Sequence, residues 1–185
     1  LRDLGLSAER CGFDSVWLPN MLSARDPFLA LSPLACASQT IRMGPVAISP
    51  FELHPLKIAN SLLTLNELSG GRASLVVGGG GGTMIGMGLK PDRRATHPHM
   101  LGGVAECLEF LHRAVKGDAF SFDGRLFQVR DYRPVHTGLA APRLWLAANG
   151  PQMLALAARS AGGVMLSDIS LSQLPATLDI LRTEL

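Results

Sequence analysis

The sequence predicts an α/β fold, a parallel sheet covered by helices. Three observations point to it. Short apolar runs, such as "VWL" and "LVV", alternate with longer stretches of helical periodicity. A strand that is apolar on both faces is buried on both, as in a parallel sheet flanked by helices. The helices also carry regular punctuation, with proline at the first position and glycine just past the last.

The first element, "LRDLGLSAER", is an amphipathic helix ending near Gly12, and Phe13 to Leu18 ("FDSVWL") follows as a buried strand. Asp26 caps a helix with Pro27 at its first position, carried to about Thr40, with Pro33 in its first two turns as a source of bending. "IRMGPVAIS" is the second strand. His54 and Pro55 start the next helix, "HPLKIANSLLTLNELSGG", which Gly70 and Gly71 stop. "RASLVVG" is the third strand, and Pro98 to Lys116 reads as a long helix closed by Gly117. The stretch "FSFDGRLFQVRDYRPVH" breaks the alternation. Its apolar residues surround an Asp123-Gly124 turn, which predicts a small antiparallel hairpin inserted at about 119–136. "RLWLAANG" resumes as a strand, "PQMLALAARSAG" as a helix, "GVMLSD" as a strand and "LSQLPATLDILRTEL" as the last helix.

Two architectures suit this order, a doubly wound sheet and a (β/α) barrel. Five strands complete a small open sheet but fall short of the eight that close a barrel. Length alone therefore favours the open sheet.

At 185 residues and 47% hydrophobic, the chain suits one domain with a sizeable core. The net charge of +2 comes from scattered cations and aromatic residues are few, so nucleic acid is not an expected partner. Cys11, Cys36 and Cys107 lack the spacing of a zinc site or redox pair, and are expected to pack as small buried hydrophobes in a reducing cytoplasm. No run reaches the roughly 18 apolar residues of a membrane span. The chain begins at Leu1 inside a helical pattern, which suggests a part of a longer protein.

The run "VVGGGGGTMIGMG" raises the question of a phosphate cradle. A dinucleotide fingerprint needs glycines at i, i+2 and i+5, but from Gly78, Gly79 or Gly80 the last position is Thr83, Met84 or Ile85. A Walker A loop fails as well, because Leu89, Lys90 and Pro91 stand where Gly-Lys-Ser/Thr is needed. With the next helix expected only near Pro98, no dipole is aimed at these glycines. What remains is a strand end stripped of Cβ atoms, which admits the close approach of a flat ligand; an unliganded loop fits the composition equally well.

Two other places stand out. Asn149 and Gly150 follow a strand, and Pro151 opens a helix, leaving the amides of Gln152 and Met153 free for a phosphate or carboxylate; an ordinary turn is the competing reading. Gly44 and Pro45 interrupt a buried strand, where a bulge is expected. His97 and His99 near Asp92 make a poor metal set, so no metal is expected. Ser167 and Asp168 read as helix-capping residues, Arg93 and Arg94 as a solvated loop, and Trp17 and Trp145 as core.

Taken together, "GFDSVWLPN", "HPLKIANSLLTLNELSGGR" followed by "LVVGGG", and "GPQMLALAARSAGGVMLSD" resemble the bacterial-luciferase-like oxidoreductase superfamily, in its deazaflavin (coenzyme F420) branch. The last segment is most similar to methylenetetrahydromethanopterin reductases. The resemblance implies a (β/α)8 TIM barrel, against the length argument. It matches the units of strands 2 to 6, so residues 1–185 form one partial barrel, either a fragment or a chain that closes with other material.

It also implies roles. Val46 to Ala47 is a non-proline cis peptide backing the deazaflavin ring, Asn20 and Ser49 lie beside it, and Gly78, Gly79, Gly80 and Gly81 flank the ring and its ribityl chain. Asn149, Gly150, Pro151 and Gln152 belong to the phosphate site; for Arg93 and Arg94 contact with the cofactor's acidic tail is the alternative to the solvated loop, which stays the default reading. Sugar-phosphate dehydrogenases of the family carry Asp-His where this chain has Asn20-Met21, and an acid where it has Gly81. Reductases draw an acid from the first strand, which this chain does not match, so no catalytic residue is named. The implied function is an F420-dependent oxidoreductase that moves a hydride between deazaflavin and a small organic substrate, of the methylenetetrahydromethanopterin kind. The alternatives are an FMN-dependent monooxygenase and a truncated, non-catalytic relative. A cytoplasmic homodimer with no membrane partner completes the expectation.

Overall fold

Helices follow strands along most of the chain, and their sequence is simple to state. In the computed structural model, which describes residues 1–88, 93–135 and 138–184 without side-chain detail at 82 and 93–98, α1 (Arg2–Arg10) leads to β1 (Ser15–Pro19) and α2 (Pro27–Ala37). There follow β2 (Arg42–Val46), α3 (Pro55–Leu68), β3 (Ser74–Val77), a short α4 (Gly81–Gly86) and α5 (Arg93–Ala114). The hairpin strands β4 (Phe120–Asp123) and β5 (Gln128–Tyr132) come next, then β6 (Arg143–Ala147), α6 (Pro151–Ser160), β7 (Val164–Met165) and α7 (Leu174–Thr183).

β1 pairs with β2, and β3 with β6 and β6 with β7, all in parallel. Two isolated bridges, Met43 to Ala73 and Ile48 to Val77, join the two groups across β2 and β3. With the hairpin set aside, the strands therefore lie in chain order. A doubly wound sheet reverses its order at a switch point, whereas a barrel runs strictly forward. The open sheet favoured by length is thus overturned in favour of an arc of a barrel.

The arc is curved. Trp17 on β1 and Trp145 on β6 meet edge to face with centroids 5.8 Å apart. Across a flat sheet, three strand spacings would hold them about 14 Å apart. Both rings are half-buried and line the concave face, so they are not part of the helix-packed core. That core lies on the convex side, where Leu31, Leu34, Met43, Ile58, Leu75 and Leu146 are buried between strands and helices. Among the described residues the strands do not close on themselves.

The bulge expected at Gly44 and Pro45 faces one neighbour only. Toward β1 the register is unbroken, Trp17 opposite Gly44 and Leu18 opposite Pro45. Toward β3 the two bridges stand five residues apart on β2 but four apart on β3, so β2 carries one extra residue. Gly44 is obligatory at this seam, because a Cβ there would run into the Ser74 carbonyl.

The end of the arc where the strands begin is locked by two charged side chains. Glu9 on α1 accepts the amides of Gln39 at 2.9 Å, Thr40 at 2.5 Å and Ile41 at 2.9 Å, and the Thr40 hydroxyl at 3.0 Å. From the other side, Arg72 donates to the Ser38 hydroxyl (2.8 Å) and to the carbonyls of Ile41 (2.7 Å), Ser38 (2.8 Å) and Ala35 (3.3 Å). The loop between α2 and β2 is held from both flanks. Gly70 and Gly71, both at positive φ, make the turn that delivers Arg72, and the buried Asn66 ties it to Ala73 and Ala140.

Several local expectations change. Asp26 does cap α2, accepting the Leu29 amide at 2.9 Å. Cys11 and Cys36 are exposed and only Cys107 is buried, because Cys36 lies on the outer stripe of α2. The helix expected from Pro98 begins at Arg93, and α4 precedes it, opening inside the glycine run. Low glycine propensity hides such a helix from the sequence. Ser167 and Asp168 cap no helix: α7 starts at Leu174 without a side-chain cap, and Asp168 takes a positive φ of 54°.

Arg72→Met removes a guanidinium and leaves buried carbonyls unpaired. We expect a loss of about 3 kcal/mol and a drop in Tm of roughly 10 °C, read by thermal denaturation. The Glu9 carboxyl is held at a pKa of about 2, against its ordinary 4.5, first by the Thr40 amide and then by the Ile41 amide. A depressed folded pKa contributes stability that is complete above 4.5 and lost as pH falls towards 2. Acid unfolding followed by circular dichroism is therefore expected to be shallower over this window in Glu9→Gln than in the parent.

Candidate functional site

The strand ends opposite that lock converge on one rim, and the extra residue in β2 shapes it. Beyond Val46 the chain passes through a cis Val46–Ala47 peptide and returns to β3, with the Ile48 amide on the Val76 carbonyl and the Gly78 amide on the Ile48 carbonyl, both 2.9 Å. This turns Ala47 towards Gly78, where a Cβ would stand 3.0 Å from that of Ala47. Asn20 extends β1 by one rung, its amide on the Val46 carbonyl at 2.8 Å. Its side-chain Nδ2 lies 3.5 Å from the Ala47 carbonyl and donates to Glu52 Oε2 at 2.6 Å. Asn20, Val46, Ala47 and Gly78 thus form one continuous surface.

The other glycines are partly occupied by the protein itself. A Cβ on Gly79 would lie 2.6 Å from the Met100 sulfur, and one on Gly80 2.7 Å from Ser49 Oγ, while Gly81 faces open space. Gly80 stands at φ 89° as the N-cap of α4. Ser49 is fully buried and its hydroxyl accepts the Phe51 amide at 3.2 Å, so it supports the rim from beneath rather than facing a ligand. Met100 also lines a cleft of about 350 Å³ with Leu101, Gly150, Pro151, Gln152 and Met153. The glycine run and the start of α6 therefore flank the same methionine.

At that helix start Gly150 supplies no side-chain cap, and the Leu154 amide is the first to close onto the Gly150 carbonyl. The first-turn amides of Gln152 and Met153 remain for an anion. Asn149 is engaged elsewhere, its Nδ2 3.3 Å from Ser167 Oγ and its Oδ1 accepting the Ser167 amide at 3.2 Å. That pair ties the end of β6 to the end of β7. Asp92 lies outside the described residues, as do the side chains of Arg93, Arg94 and His97, so the structure does not bear on the proposals made for them.

Sequence reasoning missed one group, Glu52. It stands in "SPFELHP", between β2 and α3, and nothing in its spacing marks it. Burial pushes its pKa up, with the hydrogen bonds from Asn20 and Thr83 working against that shift. Being the sole carboxylate between the second strand and Glu67 was the available signal. His54 two residues on is held below its ordinary pKa by burial, caps α3 through Nδ1 to the Leu56 amide at 3.2 Å, and stacks edge-on against Phe127.

A family model described as luciferase-like monooxygenase matches residues 1–184. The chain belongs to this luciferase-like family. Among its relatives, the 5,10-methylenetetrahydromethanopterin reductase of Archaeoglobus fulgidus is 31% identical over 164 residues, 86% of this chain and 46% of that protein. Similar solved structures include the coenzyme F420 dependent tetrahydromethanopterin reductase of Methanopyrus kandleri, with TM-score 0.82 and 23% identity over 94% of this chain and 53% of the other. An F420-dependent secondary alcohol dehydrogenase in complex with an F420-acetone adduct follows, with TM-score 0.81 and 18% identity over 98% and 59%. This luciferase-like chain spans about half the length of the relatives it matches. The barrel architecture agrees with the chain order of its strands.

Packing at the rim separates two glycines. Gly80→Ala puts a Cβ at positive φ against buried Ser49, and is expected to cost about 1–3 kcal/mol. Gly150→Ala, at φ −89° with nothing within 4 Å, is expected to stay within about 0.5 kcal/mol of the parent. Thermal melts of the two variants measure the difference.

Proposed function

We propose that this chain holds the cofactor side of an F420-dependent oxidoreductase, moving a hydride between the deazaflavin and a small organic substrate of the methylenetetrahydromethanopterin kind. The observation that carries the reading is the pairing of a flat seat with an anion site: Ala47 against Gly78 on one strand pair, and the uncapped start of α6 next to it, across Met100. The names of the two solved structures, both F420-dependent enzymes, support the same cofactor.

The residues fit such a group. Val46, Ala47 and Gly78 would back the ring, with Asn20 orienting the Ala47 carbonyl, and Gly79 becomes available as the flexible Met100 side chain moves. Gly150, Pro151 and Gln152 would hold the phosphate with first-turn amides, Asn149 fixing that corner through Ser167. When bound, the deazaflavin supplies the two-electron hydride chemistry, and the protein contributes position and exclusion of water. A homodimer is supported by the outward apolar residues of α2, where Leu29 is 74% exposed. Three unbonded thiols suit the cytoplasm.

Flavin mononucleotide is the second reading, favoured by the family's own description and by a helix start that accepts any phosphate. Titrating the protein with F420 and with flavin mononucleotide separates them, read at ~420 nm for oxidised deazaflavin and ~450 nm for flavin. We expect F420 to bind about tenfold or more tightly, a gap of 1.4 kcal/mol or above. Tighter flavin binding would favour the monooxygenase, and binding of neither the non-catalytic relative.

A further inference from the structure

Met21, Leu22, Ile85 and Met87 are large, apolar and between 49% and 63% exposed. Apolar residues exposed singly need no account, but these four are gathered in one place. Met21 and Leu22 continue the chain from Asn20 at the end of β1, and Ile85 and Met87 flank Gly86 at the end of α4. A Cβ on Gly86 would run into the Leu22 side chain, so the two segments touch. They are also tied through Glu52, which accepts Asn20 Nδ2 at 2.6 Å while the Thr83 hydroxyl of α4 bonds the same carboxyl. Neither segment brings a charge, since the chain carries none from Pro19 to Ala24 or from Gly78 to Gly88.

The order of strands says what covers them. Along the arc β1, β2, β3 and β6 are successive neighbours. The seat of Ala47 and Gly78 lies between β2 and β3, with the start of α6 beyond β6 on one side and the β1 end, Asn20 and Met21, on the other. Asn20 links the two, its Nδ2 3.5 Å from the Ala47 carbonyl. A ring on that seat with its phosphate at α6 leaves the apolar patch for the second reactant. We infer that Met21, Leu22, Ile85 and Met87 form the substrate wall of the site, and that the body of the substrate beyond its reacting carbon is apolar and uncharged, alkyl or aryl. This rests on the oxidoreductase reading above. Loops at the ends of barrel strands are where substrates are held, and two unbranched methionines suit a wall that adapts to hydrocarbon of varied outline. Covering the wall removes apolar area from water, so binding strengthens with each added methylene.

The test reads the wall directly, by NMR of the protein carrying carbon-13 at its methionine methyls. The probes are neutral para-alkylbenzamides, from methyl to butyl, and the matching para-alkylbenzoates. The amides are expected to give saturable shifts at Met21 and Met87, while Met43, fully buried in the core, stays fixed. Affinity rises about threefold per methylene, and the benzoates bind about tenfold or more weakly. Met21→Ser and Ile85→Ser, both at exposed positions, flatten the dependence on chain length, and Leu4→Ser on the exposed side of α1 leaves it unchanged. Affinity independent of chain length, or benzoates bound as well as amides, overturns the wall. Shifts of the same methyls that follow protein concentration without any probe assign the patch to a second copy and overturn it too. F420 and flavin mononucleotide are titrated in parallel: binding of neither overturns the cofactor reading, while the methyl shifts still decide whether the patch holds an apolar ligand.

Discussion

The rim depends on a mismatch of one residue between β2 and β3. Matched strands would leave both edges straight and carry Val46, Ala47 and Ile48 past β3 without turning. The extra residue on β2 is absorbed between the Met43 and Ile48 bridges, where Gly44 permits close approach to Ser74 and Pro45 has no amide to offer a ladder. The chain beyond the offset re-enters pairing rotated, with Ala47 against Gly78 and Ser49 beneath Gly80. Three of the proposed ring contacts follow from that offset. It is also why the unbroken β1 register matters: β1 carries Asn20 to the same level without a bulge of its own.

The two ends of the arc use polar groups differently. At the strand-start end, Glu9 and Arg72 are saturated with partners and fasten a loop that carries nothing reactive. At the rim, the helix start of α6 keeps its first amides. Barrels generally divide labour in this way, with stability at the face where strands begin and chemistry where they end. The "LSGGR" segment belongs to the first class, since its glycines and arginine build the clamp. Its specificity as a sequence pattern reflects backbone turns and a buried guanidinium, not contact with a ligand.

Much of this was legible beforehand. Proline at N1 placed α2, α3 and α6, and the apolar runs located β1, β2, β3 and β6, because helix starts and buried strands are signalled by neighbouring residues. The fold class needed more, since chain length argued for an open sheet and only strand order, a long-range property, decides for the barrel. The sequence places the next helix only near Pro98, yet α4 begins inside the glycine run, where low glycine propensity hides it and packing such as Gly86 against Leu22 holds it. Glu52 could not be singled out, because what distinguishes it is an amide from residue 20 and a hydroxyl from residue 83. Cys36 misled for a related reason: an apolar helix has an outside as well as an inside.

Gly78 to Gly81 also read differently once their neighbours are counted. Had they served only to admit a ligand, the space beside them would be open, as it is at Gly81. Instead Gly78 receives Ala47, Gly79 the Met100 thioether and Gly80 the Ser49 hydroxyl. Two of these neighbours are fixed, one by the backbone and one by full burial, whereas Met100 is the unbranched end of a flexible side chain. Among the described residues, the movable group between the glycines and the start of α6 is therefore Met100. The glycines shape the floor, and a ligand that reaches Gly79 must displace Met100.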